Sequence, residues 1–90
     1  MNTSPDSRLL ARSVVVTDEE IRVALSDGRT ITAPLRWFPR LQKATPAARA
    51  RWELLGHGIG IHWPEIDEDL SVAGLIAGTR APGASDLGAA

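Results

Sequence analysis

The chain has no cysteine among its 90 residues. That excludes disulfides, thiolate metal sites and cysteine nucleophiles. It also lacks an apolar run long enough to span a bilayer. The opening residues include Leu9-Leu10-Ala11 but no apolar signal core, so a cytoplasmic location without membrane contact is expected. Charge of one sign is not in excess: the formal net charge is -1, which gives no whole-molecule attraction to nucleic acid or anionic membranes. There is no internal repeat, and the serines and histidines stand without the supporting groups that nucleophilic catalysis needs. Gly56, Gly58 and Gly60 do not make a phosphate loop, because the required strand follows them instead of preceding them. They read as helix-end and strand-entry glycines.

What is present fits one small soluble domain. A chain of this length buries roughly 60% of the surface it exposes when unfolded. Its stability margin is therefore thin, and a helper is expected, either self-association or a protein partner.

The most informative stretch runs from Ile59 to Ser71. Ile59, Ile61 and Trp63 alternate with other residues at the period of a half-buried strand, and Pro64 ends it. An acidic turn with Glu65, Asp67, Glu68 and Asp69 follows, then a short helix over Val72 to Ala77, capped by Asp69 or Ser71 and ended by Gly78. Upstream, Ser13 to Thr17 reads as a β-branched strand. Ile21, Val23 and Leu25 alternate into an Asp27-Gly28 pair, a strong hairpin signal, and Thr30 to Ala33 returns with Ile31 and Ala33 inward. Leu35 to Leu41 is a connector bracketed by prolines that lays Trp37 or Phe38 over the sheet. Thr45-Pro46 starts a helix that is expected to run to about Leu55, with Ala48, Trp52 and Leu55 on one face and Gly56 at its end. Residues 1–12 read as a flexible arm, 13–78 as a single domain and 79–90 as a disordered tail.

Asp27-Gly28-Arg29, Pro34-Leu35, Trp37, Pro39-Arg40-Leu41, Ala44-Thr45-Pro46, Trp52, Gly58, Ile61-His62-Trp63-Pro64, Asp67-Glu68-Asp69, Ser71-Val72 and Gly74-Leu75 occur in this order. In that pattern the chain resembles the bacterial domain-of-unknown-function family numbered 2442, from about Val14 to Gly78. The resemblance implies a small α+β fold with an antiparallel sheet and helices, and no established activity. Members of that family are often encoded beside a second small protein, so the resemblance also implies an antitoxin-like role.

Three site chemistries can be drawn on the residues. His62, Glu65 and Asp67, with His57 nearby, have metal-ligand character. However, His62 and Trp63 point to opposite strand faces and Pro64 bends the chain before the carboxylates. His62 is expected instead as a partly exposed strand residue bonded to a carboxylate or a backbone group. Glu65, Asp67, Glu68 and Asp69 could serve acid–base chemistry only if a cleft shifted their pKa values. A solvated turn before a helix start explains them more simply. Arg36, Arg40, Lys43, Arg49 and Arg51, interleaved with Trp37 and Phe38, have the composition of a single-strand binder, although aromatics in so small a protein usually belong to the core.

The sequence therefore predicts an α+β fold: a small antiparallel β-meander, one main helix, a further strand and a short C-terminal helix. The expected core is Val14, Val16, Ile21, Val23, Leu25, Ile31, Trp52, Leu55, Ile61, Trp63 and Leu75. The function expected is a non-catalytic protein-interaction module, the antitoxin-like member of a two-gene pair, with no cofactor or metal. Its contacts would be Trp37, Phe38 and Arg40, rimmed by Glu65, Asp67 and Glu68. The partner would be a protein encoded nearby or a second copy of the chain. The alternative is a nucleic-acid-associated regulator using the basic 36–51 segment.

Overall fold

The computed structural model describes residues 9–81 and 83–84. Its fold is α+β, built on two antiparallel sheets of three strands each, with short helical turns between and after them. The first sheet orders β1 (Ala11–Val16), β2 (Glu20–Leu25) and β3 (Thr30–Pro34) as a meander. Ile21, Val23 and Leu25 are buried while Arg22 is exposed, so β2 follows the alternation of its sequence. The Asp27-Gly28 turn closes as expected. Leu25 N–H donates to Arg29 O at 2.8 Å, and Gly28 N–H donates to Leu25 O at 3.0 Å. Gly28 takes a φ of 94°, a left-handed conformation that a side chain would strain. The Arg29 amide donates to the Asp27 carboxylate at 3.0 Å and is the chief reason that carboxyl lies below its ordinary range.

After β3 the prolines break the chain into short turns. Leu35–Trp37 is a single 3-10 turn, followed by α1 (Pro39–Lys43) and α2 (Pro46–Arg49). Leu35, Phe38 and Leu41, three residues apart, all face the core. Thr45 caps α2 as its sequence indicates, its hydroxyl accepting from the Ala48 amide at 3.1 Å.

The helix expected from Pro46 to Leu55 ends instead at Arg49. Arg51 N–H closes onto Ala48 O at 3.1 Å, a tightened final turn. The Arg49 side chain turns back to bond the Leu41 and Gln42 carbonyls at the end of α1, at 2.9 and 2.8 Å. The residues assigned to the helix's later turn form β4 (Glu53–Leu55), because pairing with the next strand supplies their backbone bonds. Local helix preference yields to tertiary pairing here.

β5 (Gly60–Trp63) is the centre of the second sheet, between β4 and β6 (Glu68–Ser71), and does not join the meander. The acidic turn is shorter than expected, since Glu68 and Asp69 lie in β6 opposite Trp63 and His62. Ser71 caps α3 (Val72–Ala77), accepting from the Gly74 amide at 2.9 Å, and Gly78 ends it.

The core joins both sheets and the connector. Val14, Ile21, Val23, Leu25, Ile61, Trp63 and Leu75 are buried as expected. Val16, Ile31 and Trp52 are only half-buried against it, and Leu55 is exposed. Ala11, Ala33, Leu35, Phe38, Leu41 and Val72 complete it. Where the halves meet, a Cβ on Gly58 would lie 2.5 Å from Ala11 O, and Gly58 has a φ of 112°. Only glycine allows that approach.

Secondary structure and backbone hydrogen bonds continue on both sides of residues 13–78. β1 begins at the buried Ala11. Thr79 N–H donates to Gly74 O at 2.9 Å, and Ala81 N–H donates to Trp37 O at 3.1 Å. The rest of the expected arm and tail, residues 1–8, 82 and 85–90, lies outside the described residues. Among the described residues no helix is long and apolar enough to cross a membrane.

Candidate protein-interaction surface

The connector and the acidic turn are brought together, largely to hold each other. Phe38 is 1% exposed, so it belongs to the core and has no surface to offer a partner. Trp37 is half-buried, and the Arg80 guanidinium lies over its ring, 4.6 Å from the centroid. Arg40 donates to the main-chain carbonyl of Asp67 at 3.0 Å. Asp67 itself turns the chain with a φ of 52°. Glu65 pairs with Arg51 at 2.6 Å. Glu68 is half-buried beside two clefts, one floored by Phe38, Leu70 and Leu75, the other bounded by Pro39 and Arg40. Burial pushes its carboxyl above the ordinary range, and the Arg40 charge partly offsets this.

The basic run disperses in the same way. Arg49 is buried, with its guanidinium bonded to Leu41 O, Gln42 O and the Asp18 carboxylate, the last at 2.9 Å. Its own carbonyl accepts from the Trp63 indole. Arg36 holds its Nε out of solvent, without a hydrogen-bond partner among the described residues. These residues do not line up as one exposed cationic stripe.

His62 lies on the outer face of the second sheet, in a cross-strand row with Glu53 and Asp69. Its Nδ1 pairs with the Asp69 carboxylate. That bond raises the imidazole pKa, with desolvation opposing it and the charges of Asp69, Glu53 and Asp67 adding to it. His62 is thus the partly exposed, carboxylate-bonded strand residue that the sequence indicates. Among the described residues, no three His, Asp or Glu side chains are grouped to hold a metal.

A surface that the sequence reading passed over lies at the margin of this sheet. Leu54 is 37% exposed, Leu55 40% and Ile59 49%. They flank the glycine-rich turn Gly56–Gly58. Leu55 crosses the Gly60 backbone, where a Cβ would sit 3.6 Å from its side chain. Ile59 covers Gly56, where a Cβ would come within 2.8 Å of it. One sequence signal could have marked this region. The adjacent Leu54-Leu55 pair leads into glycines at every second position, and such glycines accompany close cross-strand contact.

Two solved structures share this architecture. A protein of unknown function from Rhodospirillum rubrum is 32% identical, with a TM-score of 0.69 over 81% of this chain and 90% of that one. An uncharacterised protein from Chromobacterium violaceum is 23% identical, with a TM-score of 0.69 over 89% of this chain and 75% of that one, and supports the fold alone. No curated protein matches the sequence. The model of one family, described as protein of unknown function (DUF2442), matches residues 11–81, from the first residue of β1 to the residue bonded to Trp37, and the chain belongs to that family.

Proposed function

We propose that this domain is a non-catalytic protein-interaction module that docks its partner on the apolar margin of Leu54, Leu55 and Ile59. The observation that carries this reading is the exposure of these three large apolar side chains around one glycine-rich turn. Exposed apolar side chains on both faces of one sheet margin offer an association site. The partner favoured is the product of an adjacent gene, in an antitoxin-like pair in which this chain covers a surface of the other protein.

Support for a non-catalytic role comes from the state of the candidate catalytic groups. Asp69 occupies His62 and Arg51 occupies Glu65. The larger of the two clefts beside Glu68 measures about 280 Å³, just below the range of ligand pockets. The nucleic-acid alternative has less support, because Arg49 is buried in structural bonds while Arg40 and Arg51 are engaged by the acidic turn.

Co-expression with the neighbouring gene's product tests the proposal. A complex that survives size-exclusion chromatography, and that is lost when Leu55→Asp or Ile59→Asp is introduced into a still-folded chain, is the expected result. Separate elution at micromolar concentration rejects it.

A further inference from the structure

We infer that β4 receives an extended strand from the partner, and that this strand carries two apolar residues followed by a basic one. The inference rests on the interaction role proposed above and specifies its mode and chemistry. β4 pairs with β5 on one side and has no strand neighbour on the other among the described residues. All three of its residues are exposed. An edge of this kind presents main-chain donors and acceptors to an incoming strand.

The register defines what that strand would meet. Leu54, Ile61 and Leu70 form one cross-strand row on the face that buries Ile61. Leu55, Gly60 and Ser71 form a row on the other face, beside Glu53, His62 and Asp69. Within this last row the Asp69 carboxylate is taken by His62, whereas Glu53 forms no ion pair among the described residues. An added antiparallel strand places an apolar residue opposite Leu55, another opposite Leu54, and a lysine or arginine opposite Glu53. Opposite-charge and apolar cross-strand pairs are the stabilising ones.

A second copy of this chain fits less well. Self-pairing about Leu54 sets Glu53 against Leu55, and self-pairing about Glu53 opposes two carboxylates. Arg51, the nearest guanidinium along the chain, precedes the strand and is held by Glu65 at 2.6 Å. The charge pattern therefore favours a different chain.

The probes are the capped peptide Thr-Val-Val-Lys-Thr, its Glu-for-Lys counterpart, and a copy of the first peptide N-methylated at both valines. Amide chemical shifts of the full chain are followed at millimolar peptide. The expected result is saturable change centred on Glu53, Leu54 and Leu55 with the lysine peptide, and loss of that change on N-methylation. In Glu53→Lys, a surface variant whose folding is verified by circular dichroism, the preference should reverse between the lysine and glutamate peptides by about tenfold or more. No saturable change at β4, equal binding of the N-methylated peptide, or an unchanged preference in Glu53→Lys overturns the inference. The underlying role fails separately. If the neighbour-gene complex forms and its affinity is unchanged in Glu53→Lys, strand addition in this register is wrong and the interaction role stands. If the peptide binds β4 and no complex forms, the edge stands and the choice of partner falls.

Discussion

The indole N–H of Trp63 donates to the main-chain carbonyl of Arg49 at 3.0 Å. Trp63 is 0% exposed, so this bond gives the one polar atom of a fully buried indole its partner. It also fastens the last residue of β5 to the end of α2.

Trp63→Ala should destabilise the domain by about 3–5 kcal/mol through the cavity it leaves. Trp63→Phe keeps most of the apolar volume and should lose about 1–3 kcal/mol with the unpaired carbonyl. Urea denaturation midpoints check both. Equal midpoints for wild type and Trp63→Ala would show that this side chain is not the keystone of the core.

The Arg49 guanidinium is a structural fork, bonded to two carbonyls and one carboxylate. Lysine cannot reproduce that geometry. Arg49→Lys should cost about 1–3 kcal/mol for each buried carbonyl it leaves unpaired. Asp18→Asn should do much less, because the Asp18 side chain is solvent-exposed. The reverse order of midpoints would contradict this assignment.

The His62–Asp69 pair makes stability depend on pH. The folded-state pKa of His62 lies above its ordinary value, so its contribution is complete below the unfolded pKa and disappears as pH rises through the folded one. The denaturation midpoint should therefore fall as pH rises above the ordinary histidine value of about 6.5. Asp69→Asn should flatten that slope and lower the His62 pKa followed by NMR. A full slope retained in Asp69→Asn would place its origin elsewhere.

Gly58 and Gly28 separate two costs. A Cβ at Gly28 meets nothing within 4 Å, whereas one at Gly58 strikes the Ala11 backbone. Gly28→Ala should cost about 1 kcal/mol from the left-handed conformation alone. Gly58→Ala should cost more than about 3 kcal/mol, because β1 or the turn must also move. Comparable midpoints for the two variants would argue against the close approach.

Much of this structure is legible where local chemistry decides. Asp27-Gly28 demands a tight reversal, Thr45-Pro46 a helix start, and Ile61-His62-Trp63 an alternation with Trp63 inward. These motifs hold whatever surrounds them. The stretch from Trp52 to Leu55 reads differently because its spacing suits a helix. The bonds that end that helix come from outside its own turns: Arg49 reaches back to Leu41, and β5 pairs with β4. Phe38 could be noticed as an aromatic beside basic residues, but the three-residue spacing of Leu35, Phe38 and Leu41 that buries it is interrupted by Pro39 between two short turns. Leu54 and Leu55 were hidden because a helix would have turned Leu55 inward. Ile59, expected as the first inward residue of the strand, precedes β5 and is exposed, because the chain is still turning there after Gly58.

Each sheet is assembled solely from strands that follow one another along the chain. Both β-networks can therefore close through short loops before the halves meet, which keeps the entropic barrier to folding low. The later event is the joining of the two networks, directly where Gly58 lies against Ala11 and through α2 where Arg49 accepts from Trp63 and pairs with Asp18. Substitutions at those joints are expected to speed unfolding far more than they slow the initial collapse.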